Sequence, residues 1–80
     1  MSKSDITDAF GMVLRKVRLS QGISQELLAE RSQLHPTYVG LVERGCRNPT
    51  LKASQALALA LGQPLSRMIA QAEKQGILKK

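Results

Sequence analysis

The stretch SQELLAERSQLHPTYVGLVERG (residues 24–45) decides the fold of this chain, because it predicts two short helices separated by a tight turn. Ser24 is a good N-cap, since its hydroxyl oxygen can accept from the amides of the next turn. We therefore expect a helix from Gln25 to about Ser32, followed by a turn at residues 33–34.

The second helix starts near His35 or Pro36 and ends by Gly45. Proline is favourable in a first helical turn because its missing N–H would have had no partner there. Val39 and Val42 are three residues apart and therefore lie on one face of the helix. Most of the residues around them are poor helix formers, which indicates that the outer face matters more than helix propensity.

The two helices are expected to pack closely where they cross. Ala29 is small enough for the second helix to cross directly over the first. The two valines of the second helix should face back onto Leu28 and Ala29. This is the pattern of a helix-turn-helix over about residues 25–44, a motif whose second helix enters the major groove of DNA.

The rest of the chain predicts three further helices and no strand, so the expected fold class is all-α. No run of residues alternates apolar and polar side chains with a period of two. Eighty residues form one small domain, so a single five-helix unit is expected over the whole chain, residues 1–80. The remaining helices are predicted at about Thr7–Gln21, at Leu51–Leu61 after the N-cap Thr50, and at Pro64 to about Gln75, ended by Gly76. The buried face of the fourth helix is expected to contain Ala53, Leu57, Ala60 and Leu61.

The charge of the chain favours a polyanionic partner. Twelve Lys and Arg against six Asp and Glu give a formal net charge of +6. An excess of this size suits DNA or RNA binding, although it also suits solubility alone. No apolar run reaches the roughly 18–20 residues of a membrane span, and no secretory signal is visible. We therefore expect a cytoplasmic protein with no membrane partner.

The sequence offers no set of residues for catalysis, metal binding or cofactor binding. Cys46 is the only cysteine, and His35 is the only histidine. The simplest role for His35 is that of an N-cap or turn residue. A zinc site needs more ligands, and a Cys/His nucleophile pair needs an orienting group and a pocket. No enzyme activity, metal, cofactor or small-molecule ligand is expected.

Four segments extend the helix-turn-helix pattern over most of the chain. They are LRKVR (14–18), GISQELLAERSQL (22–34), TYVGLVERGCRNPTL (37–51) and LALALGQPLSRMI (57–69). Together they resemble the Cro/CI-type, or XRE-type, helix-turn-helix transcriptional regulators, from about Phe10 to Ile69. Within them, TYVGLVERGCRN is most similar to the controller proteins of restriction–modification systems.

The resemblance implies a compact, lambda-repressor-like domain that binds double-stranded DNA as a homodimer. Such a dimer would read a palindromic operator with half-sites about one helical turn, ~34–36 Å, apart. Control would come from occupying a promoter, either by blocking RNA polymerase or by contacting it. The alternative function is an antitoxin or adaptor that uses the same helical scaffold mainly to hold a partner protein.

The resemblance also implies a set of DNA contacts around the second helix of the motif. Gln25 would lie at a helix N-terminus, where free amides and the helix dipole attract phosphate. Thr37 can donate to base edges, and Arg44 can bind guanine or phosphate. Each of these residues, and Lys52, could instead be an ordinary solvated side chain. The expected DNA-binding residues are Gln25, Pro36, Thr37, Tyr38, Leu41, Arg44, Arg47 and Asn48.

Glu43 is an acid on this otherwise basic element, and it would repel DNA if it faced the groove. The resemblance implies instead a structural ion pair with Arg15 or Arg18 of the first helix.

Two positions depart from the family pattern. Gln33 occupies a turn position where many relatives carry Gly or Asn, and a left-handed backbone there costs about 1 kcal/mol. Pro36 stands where controller proteins often carry a basic residue, and it has no side-chain donor.

The fifth helix, about residues 64–75, is the expected dimerisation element. Its apolar residues are too many for a thin terminal helix to bury alone. The alternative is ordinary packing onto the first and fourth helices, and a mixture of the two is expected. We expect Leu65 and Ile69 to face inward and Met68 and Ala72 to lie nearer a partner. The dimer interface is therefore predicted to contain Leu65, Met68, Ile69 and Ala72.

Overall fold

The computed structural model describes the backbone of residues 5–77 and the side chains of residues 5–75. Over this part the chain forms five α-helices and no strand, which confirms the all-α prediction. The helices are α1 (Ile6–Ser20), α2 (Gln25–Ser32), α3 (Pro36–Glu43), α4 (Leu51–Ala60) and α5 (Leu65–Ala72). None of the helices in residues 5–77 is both long enough and apolar enough to cross a bilayer.

The helices of the motif and the helix after it begin at capping side chains. The hydroxyl oxygens of Ser24 and Thr50 each accept from the amide three residues later at 3.0 Å, as predicted for α2 and α4. The Nδ1 atom of His35 accepts from the amide of Thr37 at 3.2 Å and caps α3. Each cap satisfies an amide that has no partner within its helix, so these starts depend on local interactions.

The turn between α2 and α3 contains the one non-glycine residue with positive φ in the described chain. Gln33 has φ 60° and ψ 39° and ends α2 in the left-handed conformation. Its amide donates to the carbonyl of Glu30, and the next amide donates to the carbonyl of Ala29. The turn therefore forms with glutamine in the position that favours glycine, at the conformational cost expected for a side chain there.

The core lies where α1, α2, α3, α4 and α5 meet, and it is almost entirely aliphatic. Val39 and Val42 of α3 are fully buried with Leu28 and Ala29 of α2, as the sequence predicts. The largest fully buried side chains are Leu14, Leu28, Leu57, Met68, Val13, Val39 and Val42. The close packing of α3 onto the core fixes which of its residues face outward.

The last two helices differ from their predicted orientations. Met68 and Ala72 of α5 are completely buried, whereas Leu65 and Ile69 are only partly buried, so the predicted inward and outward pairs are reversed. Met68 and Ala72 pack in the core of the same chain and have no surface to offer a partner. The buried face of α4 consists of Ser54, Leu57 and Ala58, and the C-cap residue Leu61 is also buried. Ala53 and Ala60 are only partly buried.

The end of α5 also differs from the prediction. Gly76 does not stop the helical backbone, which continues from α5 as a π-helical turn over Glu73–Ile77. This turn packs against both α1 and α5. Tertiary packing of this kind overrides the weak helix propensity of a single glycine.

Candidate nucleic-acid interface

The two faces of α3 have opposite environments. Val39 and Val42 point into the core, whereas the side chains of Thr37 and Arg44 are exposed. The helical repeat of 3.6 residues produces this division, because residues three apart share a face. The exposed side of α3 therefore carries the Thr37 hydroxyl, and the Arg44 guanidinium follows at the C-cap, while the opposite side of the helix packs in the core.

Glu43 is held at the C-terminal end of α3 by a buried ion pair with Arg18. The Nε atom of Arg18 donates to Oε2 of Glu43 at 2.6 Å, and its Nη2 atom donates to Oε1 at 3.1 Å. The Arg18 and Glu43 side chains are only 9% and 1% exposed. Arg15, the other partner that the sequence allowed, is exposed one turn earlier on α1. The two parallel bonds form the fork geometry that makes arginine–carboxylate pairs specific.

The third donor of Arg18 links the pair to the start of the motif. Its Nη1 atom donates to the backbone carbonyl of Ile23 at 2.8 Å. The hydrogen bond with Glu43 raises the pKa of Arg18 and outweighs the lowering effect of burial. Arginine is already protonated at any ordinary pH, so the Arg18 guanidinium remains charged in the folded protein.

Gln25 joins the same network, and this contact was not predicted. Its Nε2 atom donates to Oε1 of Glu43 at 3.0 Å across 18 residues of sequence. The carboxylate thus accepts from two elements, α1 through Arg18 and α2 through Gln25. No spacing rule links these positions, because the contact arises only when α3 has crossed α2. Gln25 therefore positions α3, besides any contact that it makes with DNA.

The loop after α3 extends the exposed surface with further cations. The Arg47 guanidinium lies over the ring of Tyr38, 5.7 Å from its centroid, in a cation–π arrangement. Asn48 and Lys52 are also exposed, at the end of the loop and the start of α4. The side chains of Tyr38, Leu41 and Pro36 are partly buried, so each offers only part of its surface. Of the expected DNA-binding residues in the loop, the structure thus brings Arg47 against Tyr38 of α3.

An apolar groove lies between the first turn of α1, the start of α4, and α5. Leu51 is 78% exposed and Ile6 is 36% exposed at its edges, and Ile69 of α5 also contributes. The groove is lined by Ile6, Thr7, Phe10, Asn48, Pro49, Leu51, Ser54 and Ile69. Of the predicted dimer residues, Ile69 lines this groove, whereas Met68 and Ala72 are covered by their own chain.

Comparison with known proteins identifies the family. A family profile described as helix-turn-helix matches residues 14–68, which includes α2 and α3. The chain belongs to this family. Its members of the Cro/CI type, or XRE type, are DNA-binding transcriptional regulators, so the predicted family and regulatory function are confirmed.

The proteins that this chain resembles in sequence and structure include controller proteins. Control protein C.SmaI from Serratia marcescens is 42% identical over 65 residues, which cover 81% of this chain and 77% of that protein. Control protein C.BamHI from Bacillus amyloliquefaciens is 44% identical over 54 residues, which cover 66% of this chain and 67% of that protein. The restriction–modification controller protein C.AhdI from Aeromonas hydrophila is 44% identical to this chain in sequence. Its crystal structure matches the structure of this chain with a TM-score of 0.75. That match covers 80% of this chain and 96% of C.AhdI. The predicted similarity to controller proteins is therefore confirmed.

Proposed function

We propose that this regulator acts as a homodimer on a palindromic operator, with α3 of each copy in a major groove. The observation that carries the proposal is the division of α3 into a buried valine face and an exposed face with Thr37 and Arg44. A helix presented in this way can enter the groove without disturbing the core that holds it. The names of the relatives further support a role as a restriction–modification controller protein.

The proposed contacts divide into base contacts and phosphate contacts. Thr37 and Arg44 are assigned to base edges, since a hydroxyl and a fork of N–H donors can both read the major groove. Arg47, Asn48 and Gln25 are assigned to the sugar–phosphate backbone, where they fix the orientation of the domain. Tyr38, Leu41 and Pro36 would add partial surfaces around α3. The net charge of +6 supplies salt-dependent attraction over the whole interface.

Selection from a random duplex pool tests this assignment. The wild-type protein should enrich a palindrome, and Arg44→Ala should weaken binding by about 1–3 kcal/mol and relax the preference at one base pair of each half-site. Arg67→Ala is the matched control, because Arg67 is an exposed arginine of α5, outside the helix-turn-helix. The absence of an enriched palindrome, or equal losses in both variants, would contradict the proposal. Binding of a partner protein that survives high salt and Arg44→Ala would instead favour an antitoxin or adaptor.

The dimer interface is assigned to the apolar groove rather than to the buried residues of α5. Leu51 is the most exposed large apolar side chain described, and it stands beside Ile6 and Ile69 at the groove. Leu51, Ile6 and Ile69 form a continuous apolar patch along the groove, and a patch of this kind is typical of a surface that a partner covers. The groove adjoins Asn48, so a dimer formed there would bring two DNA-binding loops close together.

Sedimentation velocity across protein concentration tests the dimer. Leu51→Glu should shift the protein to monomers without unfolding it, since an acid in the first turn of α4 suits the helix dipole. Leu59→Glu is the control, because Leu59 is 64% exposed on the same helix but does not line the groove. A monomeric wild type at high micromolar concentration, or an equal effect of the two variants, would exclude this interface.

A further inference from the structure

Gly40 is buried in the middle of α3, although it lies between residues of the exposed face. A Cβ added at Gly40 would lie 3.3 Å from Nη1 of Arg44 and 3.4 Å from Oε1 of Gln25. The Nε2 atom of Gln25 would be 3.6 Å from the same position. The side chains of Gln25 and Arg44 therefore lie directly over the bare Cα of Gly40. Gln25 belongs to α2, and Arg44 is the C-cap residue of α3.

The absence of a side chain at this position brings two functional groups together. Gln25 lies over Gly40 while its Nε2 atom donates to Glu43, so the carboxamide is restrained from both sides. The Arg44 guanidinium approaches the same position over Gly40, although the rest of the Arg44 side chain is exposed. Two long side chains that rest on the same small surface lose less freedom when they bind a ligand.

We infer that Gly40 is a positioning residue for DNA binding, which holds Gln25 and Arg44 in place by leaving the space that they occupy. The inference rests on the proposed function and adds to it a residue with no side chain and no DNA contact of its own. A glycine in a helix interior destabilises the helix by roughly 0.5–1 kcal/mol relative to alanine. Gly40 is thus expected to improve binding at a cost in stability.

The test is a pair of substitutions measured for both folding and binding. Gly40→Ala should leave the melting temperature unchanged or raise it by about 2–6 °C, because helix propensity improves while only side-chain ends must move. The same change should weaken binding to the selected operator about threefold. Gly40→Leu, which removes the space entirely, should weaken it at least about tenfold. A lower melting temperature together with unchanged binding would overturn the inference.

A double-mutant comparison separates positioning from a direct clash with DNA. Gly40→Ala and Gly40→Leu are repeated in a Gln25→Ala/Arg44→Ala background, at low salt so that the residual binding stays measurable. If Gly40 acts through these two side chains, neither substitution should weaken binding further. An undiminished loss in this background would show that Gly40 only lets the α3 backbone approach DNA, and the inference would be wrong.

Different results would contradict the proposed function and the role of Gly40. A wild-type protein that enriches no palindrome would contradict the proposed function itself. A wild-type protein that binds its operator, with Gly40→Leu binding equally well, would contradict only the role of Gly40. Circular dichroism of every variant checks that the helix content is unchanged.

Discussion

The two ends of α3 are attached to the domain in different ways. At the C-terminal end, Glu43 is buried in hydrogen bonds with Arg18 and Gln25, which belong to α1 and α2. Gly11 of α1 also lies directly against the carbonyl groups at this end. At the N-terminal end, the cap is one exposed hydrogen bond from the Thr37 amide to His35.

This difference shows where the orientation of the helix is determined. The contacts at the C-terminal end are long-range and buried, so they set how α3 lies on α1 and α2. The contact at the N-terminal end is local, so it affects the first turn of α3 alone. Substitutions that affect the two ends should therefore differ in the size of their effect on stability. Three of them test the comparison, and a fourth, at Gln33 in the turn before α3, tests the strain of that turn; they follow in order of decreasing effect.

Glu43→Gln should cause the largest change. It leaves the Arg18 guanidinium buried without a counter-charge, and removing one partner of a buried pair costs about 3–5 kcal/mol. Urea unfolding measures this loss. Arg15→Gln is the control, since Arg15 is exposed on α1, and it should change stability by less than about 0.5 kcal/mol. Similar losses in the two variants would mean that the buried pair does not hold this end of α3.

Gly11→Ala should cause the next largest loss. A methyl group there would overlap the carbonyl oxygen of Val42 and lie 2.9 Å from that of Glu43, so α1 and α3 would have to separate. We expect a cost of about 2–3 kcal/mol, measured by thermal unfolding. Met12→Ala, at an adjacent position of α1 that is 56% exposed, serves as the control and should be nearly neutral. A Gly11 variant as stable as wild type would show that the two helices are not in close contact.

His35→Ala should have a smaller effect, confined to the first turn of α3. Loss of an N-cap costs about 1 kcal/mol, which thermal unfolding can resolve. His35→Asn should recover most of the loss, because asparagine also accepts from the amides of a first turn. If His35→Ala were as damaging as Glu43→Gln, the two ends of α3 would be equally important and the comparison would fail.

Gln33→Gly should have the smallest effect and the opposite sign. Glycine adopts φ near the observed 60° without the penalty of a Cβ, so stability should rise by about 0.5–1 kcal/mol. Gln55→Gly is a matched control, since Gln55 is exposed within α4, and it should lower stability by about 1 kcal/mol. Chemical denaturation of both variants gives the two signs. A loss of stability in both would show that the Gln33 side chain has a favourable role in the turn.

The helix starts could be predicted from the sequence because each depends on neighbouring residues. Ser24 and Thr50 bond to amides three residues away, so a short window of sequence contains all of the interaction. The burial of Val39 and Val42 follows from helical spacing in the same way. The family and the helix-turn-helix could be predicted for the same reason, since their distinctive residues lie within continuous segments.

The long-range contacts could not be predicted in full. Helical spacing alone leaves Arg15 and Arg18 both able to reach Glu43, and only the packing of α1 against α3 selects Arg18. The prediction of which side of α5 faces the core was wrong for a related reason. The apolar residues of α5 share one helical stripe, so spacing alone does not reveal that Met68 rather than Ile69 lies at the centre of the buried face. The contact of Gln25 with Glu43 has no local pattern at all.

The exposure of Thr37 and Arg44 has a consequence for how the specificity of this regulator can evolve. Neither side chain belongs to the buried core or to the Arg18–Glu43 pair, so most replacements there should leave folding intact. Under the base contacts proposed for Thr37 and Arg44, mutations at these positions would explore new operator sequences without compensating changes elsewhere. A regulator built in this way can diverge from its relatives in the DNA that it reads while it keeps the same scaffold.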